Sequence, residues 1–251
     1  MIRVLAALLL CLICLGTAGQ ALAEEEIIQV AVPPFAPFAF FKENTKCQGA
    51  SIVILNKLAS ETGLNLSHVK YPYARILSSL KNGQLDLALI FKNDSLKNHV
   101  NYIGPVSQSK VVVLTQTKNA ISAYDDLAKL KHIAVIRKAQ FEARFDEDSR
   151  LNKIPVESYL QALQMFKLNR VEAVVGSISG LEYAMQELKM NVNLVKNAYH
   201  LGHKEWWLHL SKKSAQPGII NKLTRAVEKI YKTGLIYQVF KQQINSCLKE
   251  E

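Results

Sequence analysis

The densest run of ligand-competent side chains is Phe91-Lys92-Asn93-Asp94-Ser95, with Lys97 close behind. A ring, two ammonium groups, an amide, a carboxylate and a hydroxyl can hold a small polar molecule. The apolar run Leu85 to Phe91 ahead of them reads as a buried strand. In open α/β sheets the residues just past a strand's carboxyl end face the ligand crevice. An ordinary surface loop has the same composition, so the neighbouring elements must decide. No Ser/His/Asp set, phosphate loop or zinc spacing stands out. His200-x-x-His203 and His209 lack cysteines or an assured helix to align them, so solvated histidines are expected, with no metal and no cofactor.

The elements that must position this loop alternate in type. Ile27 to Val32 is β-like and ends at Pro33-Pro34, and an irregular loop carrying Phe35, Phe38, Phe40 and Phe41 follows. Ile52, Leu55 and Ala59 mark a helix that Gly63 closes, and Leu64 to Val69 is a strand. Ile76, Leu77 and Leu80 mark the next helix, which turns at Asn82-Gly83. Beyond Pro105 the spacing predicts strands at Lys110–Gln116, His132–Arg137, Val171–Val175 and Glu205–Leu210. Short helices are expected at Asp125 and from about Gln140, then one through Leu160, Leu163 and Phe166. Gly176-Ser177-Ile178-Ser179-Gly180 leads into a further helix reaching Leu188. Pro217 to Tyr231 is the clearest helix, with Ile219, Leu223, Ala226, Val227 and Ile230 on one face, and a last one runs from about Leu235 to Ile244. Such β-α alternation is the pattern of parallel sheets flanked by helices.

The first 23 residues read as a secretory signal peptide: Arg3, the apolar run Val4 to Leu15, then Ala21-Leu22-Ala23 before Glu24. The run falls short of the roughly 20 residues a spanning helix needs. Cleavage after Ala23 and release into the periplasm are expected. Cys11 and Cys14 follow Leu10 and Ile13, where a lipoprotein signal needs a small residue, so no lipid anchor is expected. Cys47 and Cys247 survive processing, and in an oxidising compartment an even pair invites a disulfide; two separate thiols are the alternative. The formal charge of +10 comes from scattered lysines without interleaved aromatics, which argues against a nucleic-acid partner.

Order and spacing together carry a family resemblance. Pro37-Phe38-Ala39-Phe40 is followed by a helix-Gly83-x-x-Asp86-Leu-Ala-Leu block and by Tyr102-x-x-Pro105. The Asp126-Leu127 helix start, Val171-Glu172-Ala-Val-Val and Lys232-Thr233-Gly234 complete the series. The chain resembles bacterial extracellular solute-binding protein family 3, the amino-acid-binding branch of the type II periplasmic binding proteins. The resemblance implies an α/β, two-lobed protein, each lobe a mostly parallel sheet flanked by helices, with ligand in the cleft between. It implies lobe 1 over residues 24–106 and 206–251, with lobe 2 over 107–205. It further implies a monomer that closes on a small solute by hinge motion and docks on a membrane permease, or alternatively on a sensor protein.

Residue by residue, the resemblance assigns Phe35 and Tyr73 to stacking on the solute, with Arg75 able to point into the cleft. The family's arginine for the ligand carboxylate falls on Leu96, with Lys97 beside it, and lysine lacks the bidentate fork. The aspartate for the ligand ammonium reads Ser177, or Gly176 in a register slipped by one. The anion nest of lobe 2 reads Arg137-Lys138-Ala139-Gln140. These departures predict a small polar solute, carboxylated or anionic, that is not a standard α-amino acid, with Lys97 and either Arg137 or Lys138 supplying charge. Periplasmic cyclohexadienyl dehydratases share the scaffold and use a cleft acid, for which Glu172 or Glu182 are candidates. Glu172 is expected instead to replace a structural aspartate and Glu182 to be a surface charge, so no enzyme activity is expected.

Overall fold

The computed structural model describes residues 27–40, 47–116, 121–215 and 217–247. The signal peptide and its cleavage site lie outside the described residues, as does Phe41. In chain order the elements are β1 (Ile27–Ala31), α1 (Ala50–Thr62), β2 (Asn65–His68), α2 (Tyr73–Asn82), β3 (Leu87–Phe91) and β4 (Val100–Thr115). Then come β5 (Ile133–Ile136), α3 (Ala143–Glu147), β6 (Lys153–Val156), α4 (Tyr159–Lys167), β7 (Ala173–Ser177) and α5 (Ile178–Glu187). The remainder is α6 (Asn193–Lys196), β8 (Tyr199–Ser211), α7 (Pro217–Ile230) and α8 (Leu235–Cys247).

The strands form one sheet in the order β2-β1-β3-β8-β4-β7-β5-β6. β1 pairs in parallel with β2 and β3 at one end, and β5 pairs in parallel with β6 and β7 at the other. Between them run β4 and β8, long and antiparallel to one another. Each parallel triplet forms the base of one lobe, and the two long strands cross from lobe to lobe. Residues 107 and 206, where the lobe boundaries were expected, face one another across this pair. β3 and β7 are buried along their whole length, as strands covered on both faces must be.

Each triplet is pinned by a carboxylate just ahead of its strand nearest the crossing pair, β3 in one lobe and β7 in the other. Asp86 Oδ2 accepts from the backbone N–H of Gln29 at 2.8 Å, and its other oxygen takes the Ser214 hydroxyl. In the second lobe Glu172 Oε2 accepts from the N–H of Lys131 at 2.6 Å, the same job at the equivalent place. Glu172 therefore acts structurally, as the sequence suggested.

Several boundaries move. Pro105 does not end a segment: β4 runs through it, with register shifts around Tyr102 and Pro105 that absorb the missing donor. β8 begins at Tyr199, well ahead of the expected Glu205. β7 lies two residues later than the apolar run suggested, because Val171 packs as the turn into it. β6 and α6 carry too little pattern to be read in advance. The helix expected near Gln140 starts at Ala143, where the Glu142 carboxylate caps the Phe145 N–H at 2.9 Å.

Cys47 is disulfide-bonded. The side chain of Cys247 lies outside the described ones.

The phenylalanine loop is clamped at its far end by Gly49. Ala50 and Ser51 donate their N–H groups to the carbonyls of Pro37 and Phe38. Gly49 sits at φ +93, and a Cβ there would lie 2.6 Å from both Ala39 Cα and the Phe38 carbonyl oxygen. Gly49→Ala should cost about 2–3 kcal/mol of stability in urea denaturation, because neither the backbone conformation nor the space admits a side chain.

Candidate functional site

The cleft between the lobes is built from rings. From lobe 1 come Phe35 and Phe38 on the β1–α1 loop and Phe91 at the end of β3; Trp206 comes from the middle of β8. From lobe 2 come Phe141, ahead of α3, and Tyr159, the first residue of α4. Centroid separations trace a continuous chain: Tyr159–Phe35 5.5 Å, Phe35–Phe38 5.7 Å, Phe38–Trp206 4.7 Å, Trp206–Phe91 4.3 Å and Phe91–Phe141 6.4 Å. It starts in one lobe, passes through the other and returns. Each such pair contributes about 0.5–1.5 kcal/mol beyond its buried area.

Tyr159 lies beside Ser177, the position at which the resemblance would put a lobe 2 aspartate. Its ring lies flat on the bare backbone of Gly176 and Gly180, where added Cβ atoms would come within 2.2 Å of it. Its hydroxyl accepts the N–H of Ser177 at 3.1 Å. Ser177 itself is fully buried, and its Oγ accepts from the Gly180 N–H at 3.3 Å, capping α5. Burial pushes the Tyr159 phenol up, and burial first, then the neighbouring Tyr159, does the same to Tyr73. The remaining space in this ring-lined cleft is about 20 Å³. That is room for about one water and far too little for an amino acid. No charged side chain lines it.

Polar bonds close the seam beside the rings. Asn93 Nδ2 donates across to the Lys138 carbonyl at 3.2 Å, while its Oδ1 caps the turn at Ser95 N–H. The Gln140 side-chain oxygen accepts the Asp94 N–H at 2.7 Å. Next to them opens a second chamber of about 280 Å³, lined by Asn93, Ser95, Lys138, Gln140, Asp146 and Lys153. Asp146 holds the Phe141 N–H with both oxygens, at 2.9 and 3.2 Å. Burial pushes its carboxyl up to about 6, against the pull of that N–H and of Lys204 and Lys153.

Of the residues the sequence singled out, the structure gathers Phe35, Tyr73, Phe91, Asn93, Gln140 and Ser177 at the cleft or its seam. The others lie elsewhere. Arg75 is exposed and stacks 4.2 Å over the Tyr71 ring. Lys92 lies 4.3 Å over the Trp207 ring, engaged in a cation–π contact. Lys97 is exposed at the end of a short 3-10 turn, and Leu96 is core. Arg137 pairs with Glu157 at 2.6 Å on the surface. The charged residues expected to bind an anion thus do not line the ring-filled cleft. His200 and His203 touch ring to ring at 4.7 Å. His209 is buried and pulled down to about 4 by that burial, so it is neutral. Among the described residues no group of three or more His, Cys, Asp or Glu could hold a metal. Sequence reasoning missed Tyr159, Phe141 and Trp206. The paired glycines at 176 and 180, four apart across a strand-to-helix turn, were the available signal for a ring lying on that turn.

Two parallel triplets bridged by a pair of crossing strands, with a cleft between, define the type II periplasmic-binding-protein architecture. The chain belongs to the bacterial extracellular solute-binding proteins, family 3, which matches residues 28–245. The virulence sensor protein BvgS of Bordetella bronchiseptica is 24% identical over 186 residues, 73% of this chain but 14% of that much longer protein. The crystal structure of a double mutant of the Bordetella pertussis BvgS VFT2 domain superposes with a TM-score of 0.67 at 20% identity, covering 86% of this chain and 92% of that one. An ancestral amino acid-binding protein, a precursor of cyclohexadienyl dehydratase, gives a TM-score of 0.68 at 20% identity over 86% of this chain and 94% of its own.

Two outcomes test this geometry. Tyr159→Phe leaves a buried Ser177 N–H without its acceptor and should cost about 1–3 kcal/mol in chemical denaturation. For Asp146, a carboxyl raised to about 6 from 3.8 means that the folded state holds the extra proton between those values. Its contribution to stability is therefore greatest below pH 4 and declines as pH rises to about 6, being lowest above that. Asp146→Asn should flatten this stretch of a stability–pH profile.

Proposed function

We propose that this chain is an exported binding module that works by opening and closing its two lobes and reports its state to a membrane sensor protein. The single observation that carries this is the cleft itself: the slot that a free solute would enter is occupied by Tyr159 and its partner rings. Closure here gains its cross-lobe contacts from the chain's own side chains, so a solute acts by displacing them rather than by drawing the lobes together. The likeness to a virulence sensor protein over most of this chain supports the same reading. A nutrient carrier delivering to a permease gains most from an open cleft that shuts on cargo, and that is the reading this cleft disfavours.

A solute able to take the place of Tyr159 meets rings, aliphatic groups, the hydroxyl of Tyr73 and the Ser177 N–H that Tyr159 would release. The matching chemistry is a small, largely apolar or aromatic molecule without a full zwitterion. The module binds rather than catalyses: Glu172 is engaged at a strand start and Glu182 is held by Tyr237, and neither lines this cleft. It functions in the periplasm as a monomer, with Cys47 tied to Cys247.

Solution scattering of the processed protein should give a closed profile with or without a panel of amino acids. The double variant Phe35→Ala, Tyr159→Ala should shift to a larger radius of gyration. A wild-type profile that is open and closes only on adding an amino acid would overturn the sensor reading in favour of cargo capture. Purified protein should not turn over prephenate or arogenate.

A further inference from the structure

A well-formed cavity lies away from the ring-filled cleft. It measures about 500 Å³, a volume suited to a small molecule. One wall is the crossing pair, through Gln108 to Val112 of β4 and His203 of β8. A second is one face of α5, where Ile178, Ser179 and Glu182 fall at i, i+1 and i+4. The third is the Thr233–Gly234 turn with Tyr237 at the start of α8, which packs on lobe 1 through α1. An occupant would therefore touch both lobes at the hinge.

Two of its polar groups are buried. The Glu182 side chain is 9% exposed, and its carboxylate accepts from the Tyr237 hydroxyl at 3.0 and 3.1 Å. A half-exposed Lys241 approaches the same carboxylate at 3.3 Å. The Ser179 hydroxyl, one turn earlier, is buried without a hydrogen-bond partner. A buried hydroxyl left unmatched costs free energy that an entering group can recover. Val112, Ile178, Val195 and Ala198 supply apolar walls. Lys110, Lys196 and His203 stand at the exposed rim, where water and salt screen them more than they screen Glu182.

We propose that this hinge pocket binds a small monoamine, its ammonium on Glu182 and Ser179 and its apolar body against Val112, Ile178, Val195 and Ala198. Lys241 already shows the geometry: an amine 3.3 Å from Glu182, on a side chain that is half exposed. The basic rim disfavours a second positive charge, which excludes polyamines. Binding there cross-links the lobes beside their crossing strands and stabilises the closed form.

The test is calorimetry and thermal shift on the processed protein with three probes: isobutylamine, isovalerate of the same shape but opposite charge, and spermidine. Isobutylamine should bind saturably and raise the melting temperature, while the other two should not. Glu182→Gln, which keeps an acceptor for Tyr237, should weaken isobutylamine by about tenfold or more, and Ser179→Ala by less. Lys241→Ala should leave binding intact or strengthen it by removing a competing ammonium. Three results would each overturn the proposal: no saturable binding of isobutylamine, isovalerate binding as well as the amine, or unchanged affinity in Glu182→Gln. Should Glu182→Gln fail to fold, unchanged affinity in Ser179→Ala combined with weakened affinity in Lys241→Ala would overturn it equally.

Discussion

The pairing of β4 with β8 is the constraint on which everything else rests. Two strands laid antiparallel through the middle of the sheet make both lobes part of one hydrogen-bonded surface. Their ladder is irregular at three places. The irregular points, around Tyr102, Pro105 and Val111, bracket Ser107 and Trp206. Trp206 therefore belongs to the crossing pair and to the cleft at once. Its ring stacks between Phe38 and Phe91 while its indole N–H is held by Ser109 Oγ at 2.8 Å on the neighbouring strand. Bending the crossing pair must disturb the ring stack, and disturbing the stack must strain the crossing pair.

Much of this architecture was legible because its signals are local. The α7 stripe of Ile219, Leu223, Ala226, Val227 and Ile230 is buried as its spacing demanded. Gly63 and Gly83 end their helices in the left-handed conformation, where glycine is the residue of least strain. What escaped was set by partners distant in sequence. Pro105 reads as a break until β8 supplies a ladder whose bulges accommodate it. The short Lys153–Val156 strand contains Pro155 and is held mainly by β5.

The site divides along the same line. Phe91 and Asn93 were found because they follow a strand that had to end at a crevice. Lys97 and Arg137 were chosen for their charge, and charge alone does not say which way a side chain turns; Arg137 finds Glu157 nearby and stays there. Tyr159 opens an amphipathic helix and looks like any core residue at the start of one. Only the absence of side chains at 176 and 180, brought beneath it by the β7–α5 turn, makes it a cleft residue. Asp86 and Glu172 show the reverse case, where two acids that invite a chemical role instead fasten strand ends in the two lobes.

A ring covalently attached to the protein cannot diffuse away from the slot it fills. Its local concentration is on the order of millimolar or above whatever the surroundings contain, as for any tethered group. A visiting molecule must therefore compete with an occupant that never dilutes, and its apparent affinity is reduced by the fraction of time the slot is taken. On the proposed mode of action the chain would set a threshold: scarce solutes would leave it unmoved, and only an abundant or unusually well-fitting one would evict the resident.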